Sequence, residues 1–160
     1  MTDAPATARI ATPIGMVELV AQGGVLTSAR IDPNTASEWL DRGNIVLDDA
    51  VGQMRDYFAE KRKTFALPLA PLPTPRGNEL RAGIAAIAHG ETMTYGALAY
   101  RIGSSARAVG QACQRNPFPI IIPCHRVTSS GNAREHYSGG AGPVTKAWLL
   151  DFEAGRTRLL

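Results

Sequence analysis

An α+β chain is expected here: a small N-terminal antiparallel β-sheet plus helix domain, then a mostly helical C-terminal domain with a helix-turn-helix and a reactive cysteine. Three observations lead to it. In the first third, short apolar runs are separated by turn residues, the mark of short paired strands. Ala66 to Pro75 holds Pro68, Pro71, Pro73 and Pro75, which can neither continue a helix nor enter a central strand. Beyond it, apolar residues recur at helical spacing behind good capping residues. The domains expected are residues 1–75, with the proline-rich linker at their end, and residues 76–160.

The elements follow in chain order. Arg9-Ile10-Ala11 and Met16 to Val20 flank Thr12-Pro13-Ile14-Gly15, a plausible hairpin connection. Gly23-Gly24 punctuates, and Val25 to Ile31 reads as a third strand. Asp48 is expected to cap a helix whose buried face is Val51, Met54, Tyr57 and Phe58, with Lys61-Arg62-Lys63 closing it. The segment Ala66–Pro75 is expected as an extended, semi-rigid spacer. Leu80, Ile84 and Ile87 mark one helix face. Thr94 caps a helix over Tyr95 to Ile102, with Leu98, Ala99 and Ile102 inward and Gly103 stopping it. Ser104-Ser105 starts a short helix carrying Ala106, Val109, Ala112 and Cys113. Two short helices joined by a tight glycine-containing turn outline a helix-turn-helix. Ile120-Ile121-Ile122 reads as a strand running into Cys124 and His125. A polar loop, Tyr137-Ser138-Gly139-Gly140, precedes a helix from about Val144 to Glu153 with Val144, Trp148, Leu149 and Phe152 buried.

Composition narrows the function classes. The 160 residues are 44% hydrophobic, enough for a core, and the net charge of +3 is an ordinary surface that favours an anionic partner only weakly. The cations cluster, however: Arg101, Arg107, Arg115, Arg126 and Arg134 fall in one stretch with few acids between them. No run approaches the roughly 18 apolar residues of a membrane span, and the start has no signal-peptide core. Two cysteines, Cys113 and Cys124, do not make a secreted framework, so a reducing cytoplasm is expected.

Pro123-Cys124-His125-Arg126-Val127 carries the densest reactive chemistry. A thiolate is the nucleophilic form of cysteine, and a nearby histidine is the usual way to raise its population. Arg107 stands near the start of a helix rich in alanine and glycine; small residues allow close backbone approach, and an arginine there suits phosphates or a base stack.

These residues resemble the O6-alkylguanine-DNA alkyltransferases. Ile122-Pro123-Cys124-His125-Arg126-Val127 is similar to that family's active-site signature. Thr94 to Ala99, Ala106 to Gly110, Asn116-Pro117, Tyr137 to Gly140, and Lys146 to Leu150 followed by Glu153 resemble its other blocks in order and spacing. The likeness runs from about Gly90 to Glu153; earlier it is limited to Thr12-Pro13-Ile14-Gly15 and general shape.

The resemblance implies direct-reversal DNA repair. A guanine alkylated on its exocyclic oxygen is turned out of duplex DNA, and the cysteine takes the alkyl group irreversibly, one lesion per protein molecule. Cys124 would be the acceptor, His125 a water-mediated base, and Glu153 the group that orients the imidazole. Tyr95 would donate toward the departing guanine or crowd the target phosphate, and Asn116 would be a hinge before the reactive segment. Arg107 would fill the space of the extruded base. Ala106, Ala108, Gly110, Thr94, Tyr95 and Arg115 would join it at the DNA, in the minor groove. Tyr137, Ser138, Gly139, Pro123 and Val127 would form the base pocket. The implied partner is double-stranded DNA carrying O6-alkylguanine, met by a monomer, with no membrane; in a bacterium the protein would associate with the nucleoid. No cofactor is implied. Some members hold zinc in the first domain, but no cysteine lies there here, so no metal is expected.

Pro73 to Asn78 and Gly131 to His136 depart from the family pattern and bear on pocket width. Cys113 reads as a small buried hydrophobe, His89 as a helix-end residue and His136 as a solvated loop residue. The alternatives are a non-catalytic lesion sensor, which a cysteine at 124 opposes; a cysteine hydrolase using Cys124, His125 and Glu153; and a dimeric helix-turn-helix regulator.

Overall fold

The computed structural model describes residues 4–130 and 135–156. Met1 to Asp3, read above as the chain start, and Gly131 to Arg134, read as a departure from the family pattern, lie outside the described residues. The chain forms two compact units, Met1–Pro71 and Leu72–Leu160.

In the first unit β1 (Ala6–Thr12), β2 (Gly15–Gln22), β3 (Val25–Asp32) and β4 (Trp39–Leu40) form an antiparallel sheet of order β3-β2-β1-β4. Thr12 opposes Gly15 across the first turn, where its hydroxyl donates to the Gly15 carbonyl at 2.7 Å. Only glycine fits at 15. Its φ is +112°, and a Cβ there would sit 2.2 Å from the Asp32 carbonyl oxygen. Gly23 and Gly24, both at positive φ, make the second turn, as a two-residue hairpin connection requires. Ala8, Ile10, Val17, Leu19, Ala21, Leu26 and Ile31 are buried beneath α1 (Ile45–Phe58), which packs on β1, β2 and β3 through Leu47, Ala50, Val51, Met54 and Tyr57. Outside this core, Glu18 is paired with Arg9 at 3.1 Å and Arg30 at 3.2 Å, its register neighbours on either side.

Three expectations for this unit are corrected. The cap of α1 is Asn44, whose Oδ1 accepts from the Leu47 amide at 3.0 Å, and Asp48 lies within the first turn. The helix ends at Phe58 with Ala59 as cap, before Lys61. Phe58 is only half-buried. The proline-rich segment is extended but tied down: the Leu26 amide donates to the Pro68 carbonyl and the Ala70 amide to the Leu26 carbonyl, each at 2.8 Å. Leu69 thus bridges to Leu26 in parallel, and Gln53 holds both backbone groups of Ala66.

The second unit holds α2 (Pro75–Ala85), β5 (Met93–Thr94), α3 (Tyr95–Ile102), α4 (Ala106–Gln114), a 3₁₀ turn (Cys124–Arg126), β6 (Val127–Thr128) and α5 (Pro143–Glu153). Thr74, Thr94 and Ser105 each cap a helix through a side-chain oxygen that accepts the third amide onward. Thr74 and Pro75 therefore belong to the start of α2. Gly103, at φ +72°, ends α3 in the left-handed region and turns the chain into α4. β5 and β6 pair in parallel, Met93 with Val127 and Thr94 with Thr128. The core is Leu80, Ile84, Ile87, Leu98, Val109, Phe118, Ile120 to Ile122, Val127, Leu149 and Phe152.

No strand forms at Ile120–Ile122. Pro119 and Pro123 bracket that run and Ile120 stands at φ +75°, outside the strand region, so it folds as compact turns: the Ile122 amide donates to Phe118 O at 2.9 Å and the Cys124 amide to Ile122 O at 2.8 Å. The burial of α5 also differs from expectation. Val144 is 73% exposed, Trp148 is half-buried and stacks on Phe152, and Lys146 and Glu153 are buried beside Leu149.

Candidate active site

A 3₁₀ turn with α2 and α5 packed on it presents Cys124. The thiol is buried in the sense of low exposure, yet it lines a cavity of about 720 Å³. One wall is α4, through Ala106, Gly110, Cys113 and Gln114. Tyr95 at the start of α3 forms another, and His136, Tyr137, Ser138 and Pro143 close the far side.

Asn116 holds the thiol in place. Its Nδ2 donates to Cys124 Sγ at 3.4 Å and to the Ile122 carbonyl at 2.8 Å, while its Oδ1 accepts from the Phe118 amide at 3.0 Å. One side chain thus fixes both the turn and the sulfur. Burial raises the pKa of the Cys124 thiol, and the Asn116 hydrogen bond and the Lys146 charge work the other way.

Behind the sulfur lies a closed polar network. His125 Nε2 is 2.9 Å from Glu153 Oε2. Arg126 grips the same carboxylate with two donors, Nε to Oε1 and one terminal nitrogen to Oε2, each 2.8 Å, and its other terminal nitrogen donates to the Ile87 carbonyl at 2.6 Å. Burial alone would raise the Glu153 carboxyl, but the Arg126 and His125 hydrogen bonds win and hold it far below the usual carboxylate range. Burial lowers the His125 pKa, against the pull of Glu153, so the ring is neutral near pH 7. An ionised Glu153 can only accept, so the ring proton sits on Nε2. Nδ1 then carries the lone pair, and it has no hydrogen-bond partner among the described residues.

Lys146 is the second buried cation. Its Nζ donates to the Val127 carbonyl at 2.6 Å, pairs with Glu135 at 2.7 Å and lies 5.8 Å from the Tyr95 ring centre. Burial pushes the Tyr95 phenol up to about 12, so it stays protonated as a donor. Burial also raises the Tyr137 phenol, whose oxygen has no hydrogen-bond partner among the described residues.

The cavity brings together Tyr95, Ala106, Gly110, Cys124, Tyr137 and Ser138. His125 and Glu153 stand behind it, outside the lining. Pro123, Val127 and Gly139, expected as pocket residues, are buried but are not among the lining. Thr94 serves as the cap of α3, and Ala108 is half-buried on α4. Arg107 on α4 and Arg115, its C-terminal cap, are exposed. Sequence reasoning passed over Arg126 and Lys146 as network members, and over Cys113, Gln114, His136 and Pro143 as cavity walls. A signal for Lys146 existed: it shares the i, i+3, i+7 stripe of Leu149 and Glu153. Among the described residues, no group of three or more His, Cys, Asp or Glu could hold a metal ion, and no helix is long and apolar enough to cross a membrane.

Residues 78–155 match the family described as 6-O-methylguanine DNA methyltransferase, DNA binding domain. The chain is 36% identical to a methylated-DNA–protein-cysteine methyltransferase of Mycobacterium leprae, over 89% of this chain and 88% of the relative. It is 41% identical to a constitutive methylated-DNA–protein-cysteine methyltransferase of Bacillus subtilis, over 67% of this chain and 66% of the relative. The crystal structure of the Mycobacterium tuberculosis O6-methylguanine methyltransferase covers 98% of this chain at 33% identity and TM-score 0.79, with 97% of that chain matched. A structure of the Mycobacterium tuberculosis protein in complex with DNA matches 94% of each chain at 32% identity and TM-score 0.76.

Proposed function

This chain belongs to the 6-O-methylguanine DNA methyltransferase family, and we propose from that premise that it repairs DNA by moving the alkyl group of O6-alkylguanine onto Cys124. The observation that carries this reading is a thiol facing a roomy cavity while a sealed His125–Glu153–Arg126 network stands behind it.

The chemistry follows from the atoms. The Cys124 proton leaves through a bridging water to Nδ1 of His125, the nitrogen left free by Glu153. The sulfur attacks the alkyl carbon, the carbon–oxygen bond to guanine breaks, and Tyr95 donates to the departing base. Glu153 offsets the charge that appears on the imidazole. The thioether has no leaving route, so each molecule acts once.

The target base must leave the stack to reach the cavity. The α3–α4 pair supplies the DNA contact, with Arg107 at the second position of α4 exposed and able to occupy the vacated space. The first turn of α4 has no acidic residue, so its positive helix end is free to meet phosphate. Ala106 and Gly110 on the cavity wall allow close backbone approach, and the family resemblance adds Thr94, Ala108 and Arg115 to that contact. The site is built within one chain, and a monomer performs the reaction. The function predicts a burst of one alkyl group per chain with a labelled duplex. Arg107→Ala should slow transfer from duplex at least tenfold while changing transfer from free O6-alkylguanine little; equal losses on both substrates would remove the finger role.

A further inference from the structure

Both cysteines of this chain are free, and both line the same cavity. Cys113 was expected as plain core. Its position says more. It sits in the last turn of α4, where the helix ends at Gln114 and the chain turns back toward Cys124. One residue links the two: the Asn116 amide donates to the Cys113 carbonyl at 3.3 Å, and the Asn116 side chain donates to Cys124 Sγ at 3.4 Å. One turn before Cys113 on the same wall stands Gly110. A Cβ built on Gly110 meets nothing within 4 Å, so the fold itself leaves that space open.

We propose that Cys113 is a resolving thiol for Cys124, closing a reversible Cys113–Cys124 disulfide when a hydroperoxide enters the cavity. In the first step the Cys124 sulfur attacks a peroxide oxygen. An S–O bond forms, the O–O bond breaks, and the peroxide leaves as water or alcohol. In the second step the Cys113 sulfur attacks Cys124 Sγ. The S–S bond forms, the S–O bond breaks, and hydroxide leaves with the Cys113 proton as water. The two sulfurs together lose two electrons and the peroxide gains them. A dithiol reductant reverses the change.

The order of the steps follows from the surroundings. Burial pushes the Cys113 thiol up to about 12, and the neighbouring Cys124 adds to that. Burial raises the Cys124 thiol as well, and Lys146 favours both thiolates, but Cys124 also accepts a side-chain hydrogen bond from Asn116 at 3.4 Å, and that contact marks it as the sulfur oxidised first. Without a partner thiol, its sulfenic acid would go on to sulfinic acid, which a dithiol does not reduce. The pairing therefore preserves an acceptor that can be used only once. This rests on the function proposed above only for its biological value; the disulfide itself is read without DNA.

The test uses the full-length protein treated with hydrogen peroxide, then dithiothreitol, followed by intact mass, peptide mapping and alkyl uptake. The wild type should lose two hydrogens, show a peptide joining Cys113 to Cys124, and recover most of its own untreated uptake. Cys113→Ala and Cys113→Ser should instead gain two oxygens at Cys124 and recover at least severalfold less of their own untreated uptake. An absent joined peptide, a disulfide between chains, or equal recovery in wild type and both variants would overturn the proposal. A joined peptide in a protein that takes up no alkyl group would leave the pairing standing and defeat the repair reading instead.

Discussion

The two units fill their interiors with different chemistry. In Met1–Pro71 the buried described residues are apolar apart from Gln53, and the charges stay outside, as in the Arg9–Glu18–Arg30 row. In Leu72–Leu160 the described core admits His125, Arg126, Lys146 and Glu153. A buried ion pair is poor value as a stabiliser, because desolvation offsets most of the attraction. Apolar residues of similar size would fill the space behind the 3₁₀ turn at least as well. On the function proposed above, the contrast teaches that the second core is arranged for proton control at Cys124, and that the first is arranged for packing.

Removing one partner of the buried network should give the largest effect. Glu153→Ala leaves Arg126 and His125 without their shared acceptor, and should cost about 3–5 kcal/mol by denaturant unfolding. Replacing Arg126 and Glu153 together by Met and Leu should restore much of that stability while alkyl transfer stays lost. A loss under about 1 kcal/mol for Glu153→Ala would erase the distinction between the two cores.

Acid should expose the same network by a smaller amount. Glu153 is held below its ordinary 4.5, and His125 below its ordinary 6.5. For both, the unfolded chain binds the proton first as pH falls, so stability is present above those ordinary values and declines below them. Each group adds a slope of at most about 1.4 kcal/mol per pH unit while it titrates. Glu153→Gln should flatten the part of the decline below about pH 4.5 in a series of urea melts. An unchanged acid limb would mean that Glu153 is not the group responsible.

The smallest effect belongs to the first unit. Glu18→Gln breaks two ion pairs whose arginine side chains are 43% and 69% exposed, and should cost under about 1 kcal/mol, fading with added salt. A larger loss would show that surface charge matters to this unit as much as buried charge does to the other.

What could be read from the chain followed the range of the forces. Thr12-Pro13-Ile14-Gly15, Gly23-Gly24, the Thr94 cap and the Gly103 stop act within a few residues, and they stood out. β4 did not, since Trp39 and Leu40 are strand only because Ala8 and Arg9 pair with them. The proline segment was legible as extended chain but not as a partner of Leu26, which lies far back in sequence. At α1, Asn44 and Asp48 are both capping types, and residue preference could not choose between them. In the second unit Ile120 to Ile122 imitated a strand, although the prolines around it favoured turns. Cys124 and His125 stood out in the local sequence, and Glu153 only through the family resemblance. Arg126 and Lys146 escaped because residue type argues for the surface, and only tertiary pairing with Glu153 and Glu135 brings them inside. The missed role of Cys113 has the same origin: helix periodicity gives burial, but not the cavity on the other side.

The central claim is that the sulfur of residue 124 ends bonded to the carbon removed from guanine. Mass analysis of digested protein after incubation with a duplex carrying O6-methylguanine tests it most directly. A single methyl group on the Cys124 peptide, no more than one per chain, and none in Cys124→Ala is the expected result. Methyl on Cys113, continued turnover beyond one lesion per chain, or transfer that survives in Cys124→Ala would contradict it.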